Sequence, residues 1–182
     1  IINTRVVAHT NLVLAGDEWS AHFIKLAGTG ITAGNDMALV ASDGDISGIR
    51  LFEGDPLNTA PFVGQVVKQL MQMSATVTLA SIAMKLVGPS SSDSALLLHS
   101  RDVDQVEGGA IENSGSPVIG VNFGQMTPRV SINGGMAVSS AALQSPTTTN
   151  ALVYMVQDNL PNTMLARKGD AVSGAGNLKG FL

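Results

Sequence analysis

Apolar residues in this chain recur mostly at every second position, in short blocks. Val6, Ala8, Val13 and Ala15 sit among polar neighbours in this way, which predicts an N-terminal strand. In "GDEWSAHFIKLAG" a turn signal at Gly16-Asp17 precedes a strand from His22 to Leu26 that closes at Gly28. "ALVASDGDISGIRLF" predicts a hairpin over 38–52, bent at Asp43-Gly44, with a bulge at Gly48.

One stretch has a different period. In "NTAPFVGQVVKQLMQM", Val63, Val66, Val67, Leu70 and Met71 follow i, i+3, i+4, i+7, i+8, which predicts a helix over 61–73. Asn58 or Thr59 is placed to cap it and Pro61 suits its first turn. Gly64 weakens it by about 1 kcal/mol relative to alanine.

The next block, "SATVTLASIAMKLVGPSSSDSALLLHS", is apolar on both alternating faces. It predicts a strand Ala75–Val87 covered on both sides, a loop, and a second strand Ala95–His99. Lys85 is its one basic residue among Lys and Arg, and Asp93 its one acid. Residues 101–115 are acidic and glycine-rich and read as a long loop. Short strands are expected at 118–123, 129–132 and 136–139, a loop at "LQSPTTTN", and a strong strand at 151–159. From Leu160 onward no period is sustained, which predicts a tail laid on another surface. The organisation expected is one domain over 1–160 with a tail over 161–182. About eight short strands with frequent turn signals predict an all-β antiparallel sandwich or barrel, carrying one or two short helices.

Composition sharpens this picture at one point. Charged residues make up 13% of the 182-residue chain, against about 25% for an average soluble domain. So few charges leave apolar surface to cover, and such patches mark interfaces. An assembly is therefore expected. The net charge of −4 is too mild for a dedicated polyanion binder. With no cysteine, disulfide and thiolate chemistry are excluded. No apolar run approaches the ~20 residues of a membrane helix. The first residue is Ile, which fits a trimmed chain or one released from a longer precursor.

The search for chemistry yields little. His9, His22 and His99 have no metal-ligand spacing. Ser114-Gly115-Ser116 lacks the flanking pattern of a nucleophile elbow. Asp43, Asp45, Glu53 and Asp55 sit around glycines and read as solvated turns. "GDAVSGAGNLKGFL" lacks the Gly-Lys-Ser/Thr ending of a phosphate loop. Arg167, Lys168 and Lys179 give the tail a slight positive bias, enough for a weak phosphate contact. No catalytic residue, cofactor site or metal site is assigned, and no enzymatic activity is expected. An enzyme on this scaffold would need His22, His99 and an acid such as Glu53 to converge.

Gly16-Asp17, Trp19 and Ala21-His22-Phe23-Ile24 carry a resemblance, together with the 61–73 segment, strand Ala75–Val87, Gly88 and Ala95–His99. Val153-Tyr154-Met155, Asp158 and Ala175-Gly176-Asn177-Leu178 extend it to the C-terminus. In these features the chain resembles the small capsid protein of cowpea-mosaic-like, picorna-like plant viruses. The resemblance spans most of the chain but is patchy, and 108–135 does not align. It implies an eight-stranded jelly roll cleaved from a polyprotein. The implied role is assembly in the host cytoplasm, with other capsid subunits, into an icosahedral virion around an RNA genome. A trimeric all-β receptor-binding or decoration module of a virus or phage is the alternative. Trp19 is expected in the core, and Lys85 at an edge or in an intersubunit ion pair.

Overall fold

The computed structural model describes residues 2–14, 20–42, 47–75, 79–88, 93–100, 106–133, 136–157 and 160–181. They form fifteen strands and no helix. The first sheet runs β1 (Ile2–Leu14), β2 (Ser20–Thr29), β3 (Met37–Ser42), β4 (Ser47–Phe52). The second runs β5 (Pro56–Leu57), β6 (Gln65–Ala75), β7 (Leu79–Leu86), β8 (Ser94–Ser100), β9 (Val106–Ile111). The third runs β10 (Phe123–Asn133), β11 (Met136–Leu143), β12 (Ala151–Gln157), β13 (Leu160–Arg167), and β14 (Ala171–Val172) pairs with β15 (Gly176–Asn177). Every ladder between these strands is antiparallel and joins neighbours in sequence. A jelly roll also pairs strands distant in sequence, and no described ladder does so.

The three large sheets stack in layers, with the second in the middle. One face of β7 and β8 carries Ala80, Ile82, Met84, Leu86, Ala95 and Leu97, packed with Ala21, Phe23, Leu39 and Leu51 of the first sheet. The other face carries Leu79, Leu96 and Leu98, packed with Phe123, Leu152, Tyr154 and Val156 of the third sheet. This is why the sequence there is apolar in both phases. Each fully buried large side chain contributes about 1.5–3 kcal/mol, so the double layer of leucines is a principal source of stability.

The helix expected over 61–73 is a correction. Residues 65–75 form β6, and its buried positions are Val67, Leu70 and Met73, three apart. Two bulges cause the spacing. Val67, Leu70 and Met73 face Leu86, Met84 and Ile82, which step by two, because Lys68 and Met71 are extra residues on the β6 side. A bulge inserts one residue and raises the local twist, so a bulged strand imitates helical spacing. β10 repeats the device, with Phe123, Met126 and Val130 opposite Leu143, Ala141 and Ser139.

Other differences are smaller. The bulge in the 38–52 hairpin falls at Arg50, between the Leu39–Leu51 and Val40–Ile49 pairs, and Gly48 pairs normally with Ala41. The glycine-rich region after residue 101 contributes β9. Residues 118–121 form turns where a strand was expected. Residues 160–167, read as tail, are hydrogen-bonded to β12 as β13. Gly16, Asp17, Trp19, Asp43, Gly44 and the loop before Asp93 lie outside the described residues.

Candidate functional site

The outward side of the third sheet departs from what a solvated sheet should be. On β11 and β12 the inward positions are buried, as strict alternation requires. The outward positions are Met136, Val138, Ser140 and Ala142, opposite Gln157, Met155, Val153 and Ala151. None of these eight ionises. An antiparallel sheet with one wet face normally alternates apolar with polar, and here both phases are largely apolar. β13 extends the surface, with Ala166 beside Val153, Thr163 beside Met155 and Leu160 beside Gln157. Leu160 is 59% exposed, Leu165 50% and Met136 42%.

The chain's own end crosses this face. After the β14–β15 hairpin, tied down by Gly169 N–H to Leu178 O at 2.8 Å, Phe181 reaches an open depression of about 260 Å³. Arg129, Ser131, Val138, Ser140 and Val153 also line it. Among the described residues that line it, Arg129 is the single ionisable one. The free edge of β13 is guarded: Pro161 lies in it, two register shifts twist it, and Asn162 Nδ2 donates to Gly109 O at 3.1 Å. Beyond the part that Phe181 reaches, the face rather than the edge is the open surface.

Two of the tail's three cations, Arg167 and Lys168, are engaged within the chain. Arg167 Nε donates to Thr149 O at 3.1 Å, and Lys168 Nζ to Thr147 O at 2.5 Å and Asn150 Oδ1 at 3.3 Å. Both thus hold the 144–150 loop. Lys179 is exposed.

The residues singled out for chemistry are spread through the fold. His22 lies on β2, His99 on β8 and Glu53 in the turn after β4, while His9 is on β1. Among the described residues no group of three His, Cys, Asp or Glu side chains is placed to hold a metal. No described helix is long and apolar enough to cross a membrane.

Lys85 has its partner within the chain. Its ammonium donates to both oxygens of Asp93 at 3.0 Å, and Lys68 approaches the same carboxylate at 3.9 Å. Ser94 donates to Glu112 Oε2 at 2.6 Å and accepts from Met126 N–H at 2.8 Å, joining the second sheet to the third. Sequence reasoning missed these links, because they join residues 18 and 32 apart without a local pattern. It also missed the apolar outer face, although "ALVYMVQ" is apolar in both phases and carried the signal.

No family model, no curated protein and no solved structure matches this chain.

Proposed function

We propose that the chain is a structural subunit of a multi-subunit shell, as the resemblance to small capsid proteins implies. One observation carries the reading: the outward face of β11–β13 is a continuous surface, apolar and small-polar, with no ionisable residue among its β11 and β12 positions. Burial against neighbouring subunits removes that surface from water. Obligate contacts of this kind bury about 2,000 Å² or more, and many weak contacts acting together hold a shell through high effective concentration.

In this reading the partners are further coat subunits, the location is the virion, and the enclosed genome is RNA. Any phosphate contact would be weak, since Arg167 and Lys168 are engaged within the chain. A jelly roll is the finer fold that the resemblance implies. The consecutive strand order gives it no support, so the proposal rests on surface chemistry. The same apolar outer face also suits a second reading, a trimeric all-β decoration or receptor-binding module, in which it would lie between the three copies.

Sedimentation velocity at micromolar concentration, with negative-stain imaging, tests both. A capsomer or shell is expected, and Met155→Lys should reduce it to an 18.7 kDa monomer with an unchanged β-sheet spectrum. A discrete trimer would favour the second reading. A stable native monomer would remove both.

A further inference from the structure

The turn Glu53-Gly54-Asp55 is the covalent joint between the first sheet and the second, and it is also hydrogen-bonded to both. Glu53 N–H donates to Met37 O of β3 at 3.0 Å. Gly54 N–H donates to Val67 O of β6 at 2.7 Å, and Val67 N–H returns a bond to Asp55 O at 2.9 Å. Between these lies the Glu53 side chain. Its Oε1 accepts the Leu70 N–H of β6 at 3.0 Å, and the residue is 4% exposed. Beside it opens a cavity of about 300 Å³ lined by Ile31, Asn35, Phe52, Glu53, Gly54 and Asp55.

We propose that Glu53 is a pH-sensitive latch between the first and second sheets, closed when its carboxyl is neutral and loosened when it ionises. A buried carboxylate without a counter-charge is costly, and the neutral acid can both donate and accept. Among the described residues the surroundings supply no matching cation. Asp36, just before β3, adds a like charge. Lys25 of β2 offsets this weakly, since it pairs with Asp36 at 3.1 Å and is half exposed. Asp55 of the same turn accepts Phe52 N–H at 2.7 Å. β6 presents Lys68, whose ammonium lies at Asp93.

Burial is the main influence on the Glu53 carboxyl and raises its pKa. The Leu70 and Met37 amides oppose the rise, and Asp36 adds to it. A pKa raised on folding means that the folded state holds the proton more tightly. The stability it gives is therefore complete below the ordinary value of 4.5 and is lost as pH rises through the folded value. The adjoining cavity gives water a route to the ionised group.

The test is amide hydrogen exchange at Gly54, Val67 and Leu70, expressed as protection factors from about pH 4 to about pH 8, in the wild type and Glu53→Gln. Gln keeps an acceptor for Leu70 N–H and never ionises. The two proteins should be equally protected at the acid end. Toward neutral pH the wild type should lose protection while Glu53→Gln stays level. A difference independent of pH would overturn the latch. Should Glu53→Gln not fold, carbon-13 titration of the wild-type Glu53 carboxyl decides. A midpoint above 4.5 supports the latch, and one at or below 4.5 overturns it.

Discussion

Asp93 holds the Lys85 ammonium on both carboxylate oxygens, each at 3.0 Å, in a strand otherwise buried on both sides. Asp93 is 1% exposed and Lys85 27%. Breaking such a pair from one side leaves a charge buried without its partner. Asp93→Asn and Lys85→Leu should each cost about 3–5 kcal/mol by urea denaturation. Lys68, at 3.9 Å, softens the second loss. The double variant should recover part of the loss, and strictly additive values would mean that the two residues do not interact in solution.

The bulged strand β6 makes a sharp prediction. Val67→Lys, Leu70→Lys and Met73→Lys should each destabilise by about 3 kcal/mol or more, since they bury a charge. Val63→Lys should change stability by no more than about 0.5 kcal/mol, because Val63 is 67% exposed. A helix would reverse part of this pattern, putting Val63 with Val67 and Leu70 on the sensitive face and Met73 off it.

Gly109 is fixed by its neighbours. A Cβ there would lie 2.3 Å from Phe62 Cζ and 2.5 Å from Leu96 O, and the latter is backbone that cannot step aside. Gly109→Ala should cost about 3 kcal/mol or more, and Phe62→Leu in addition should restore only part of it. Gly115→Ala, with nothing within 4 Å, should stay within about 0.5 kcal/mol. Thermal midpoints of the three variants are the check.

Tyr154 should set the alkaline limit. It is fully buried, its ring lies 4.9 Å from that of Phe123, and its hydroxyl donates to Met126 Sδ at 3.3 Å. Burial pushes the phenol far above its ordinary value of 10.0, against a smaller lowering by the Ser139 hydroxyl. The folded state thus keeps the proton longer than the unfolded state. Its contribution is intact below pH 10.0 and fades as pH rises beyond it. Tyr154→Phe should lose about 0.5–1.5 kcal/mol at neutral pH and show a flatter decline above about pH 10. Parallel declines would show that Tyr154 does not control alkaline unfolding.

How much of this was legible follows from how far each signal reaches along the chain. The two-sided burial of β7 and β8 was readable because alternation within one strand reports both of its faces. The β3–β4 hairpin was readable because its partners are neighbours. β6 was misread because the extra residues, Lys68 and Met71, show only against the register of the opposite strand. β9 was missed because Gly108 and Gly109 look like loop formers, whereas Gly109 is there to admit Phe62. Glu53 read as a solvated turn residue, since nothing nearby in sequence announces that β6 will close over it.

The consecutive order of the strands also sets a timetable. Each meander can zip from contiguous chain as it emerges during synthesis, with short loops and little closure entropy. Stacking the layers joins residues far apart and must come later. Until then the middle sheet, with Ile82 and Leu97 on one side and Leu96 and Leu98 on the other, is a two-sided sticky plate. Capture of that intermediate by its own flanking meanders therefore competes with capture by another nascent copy.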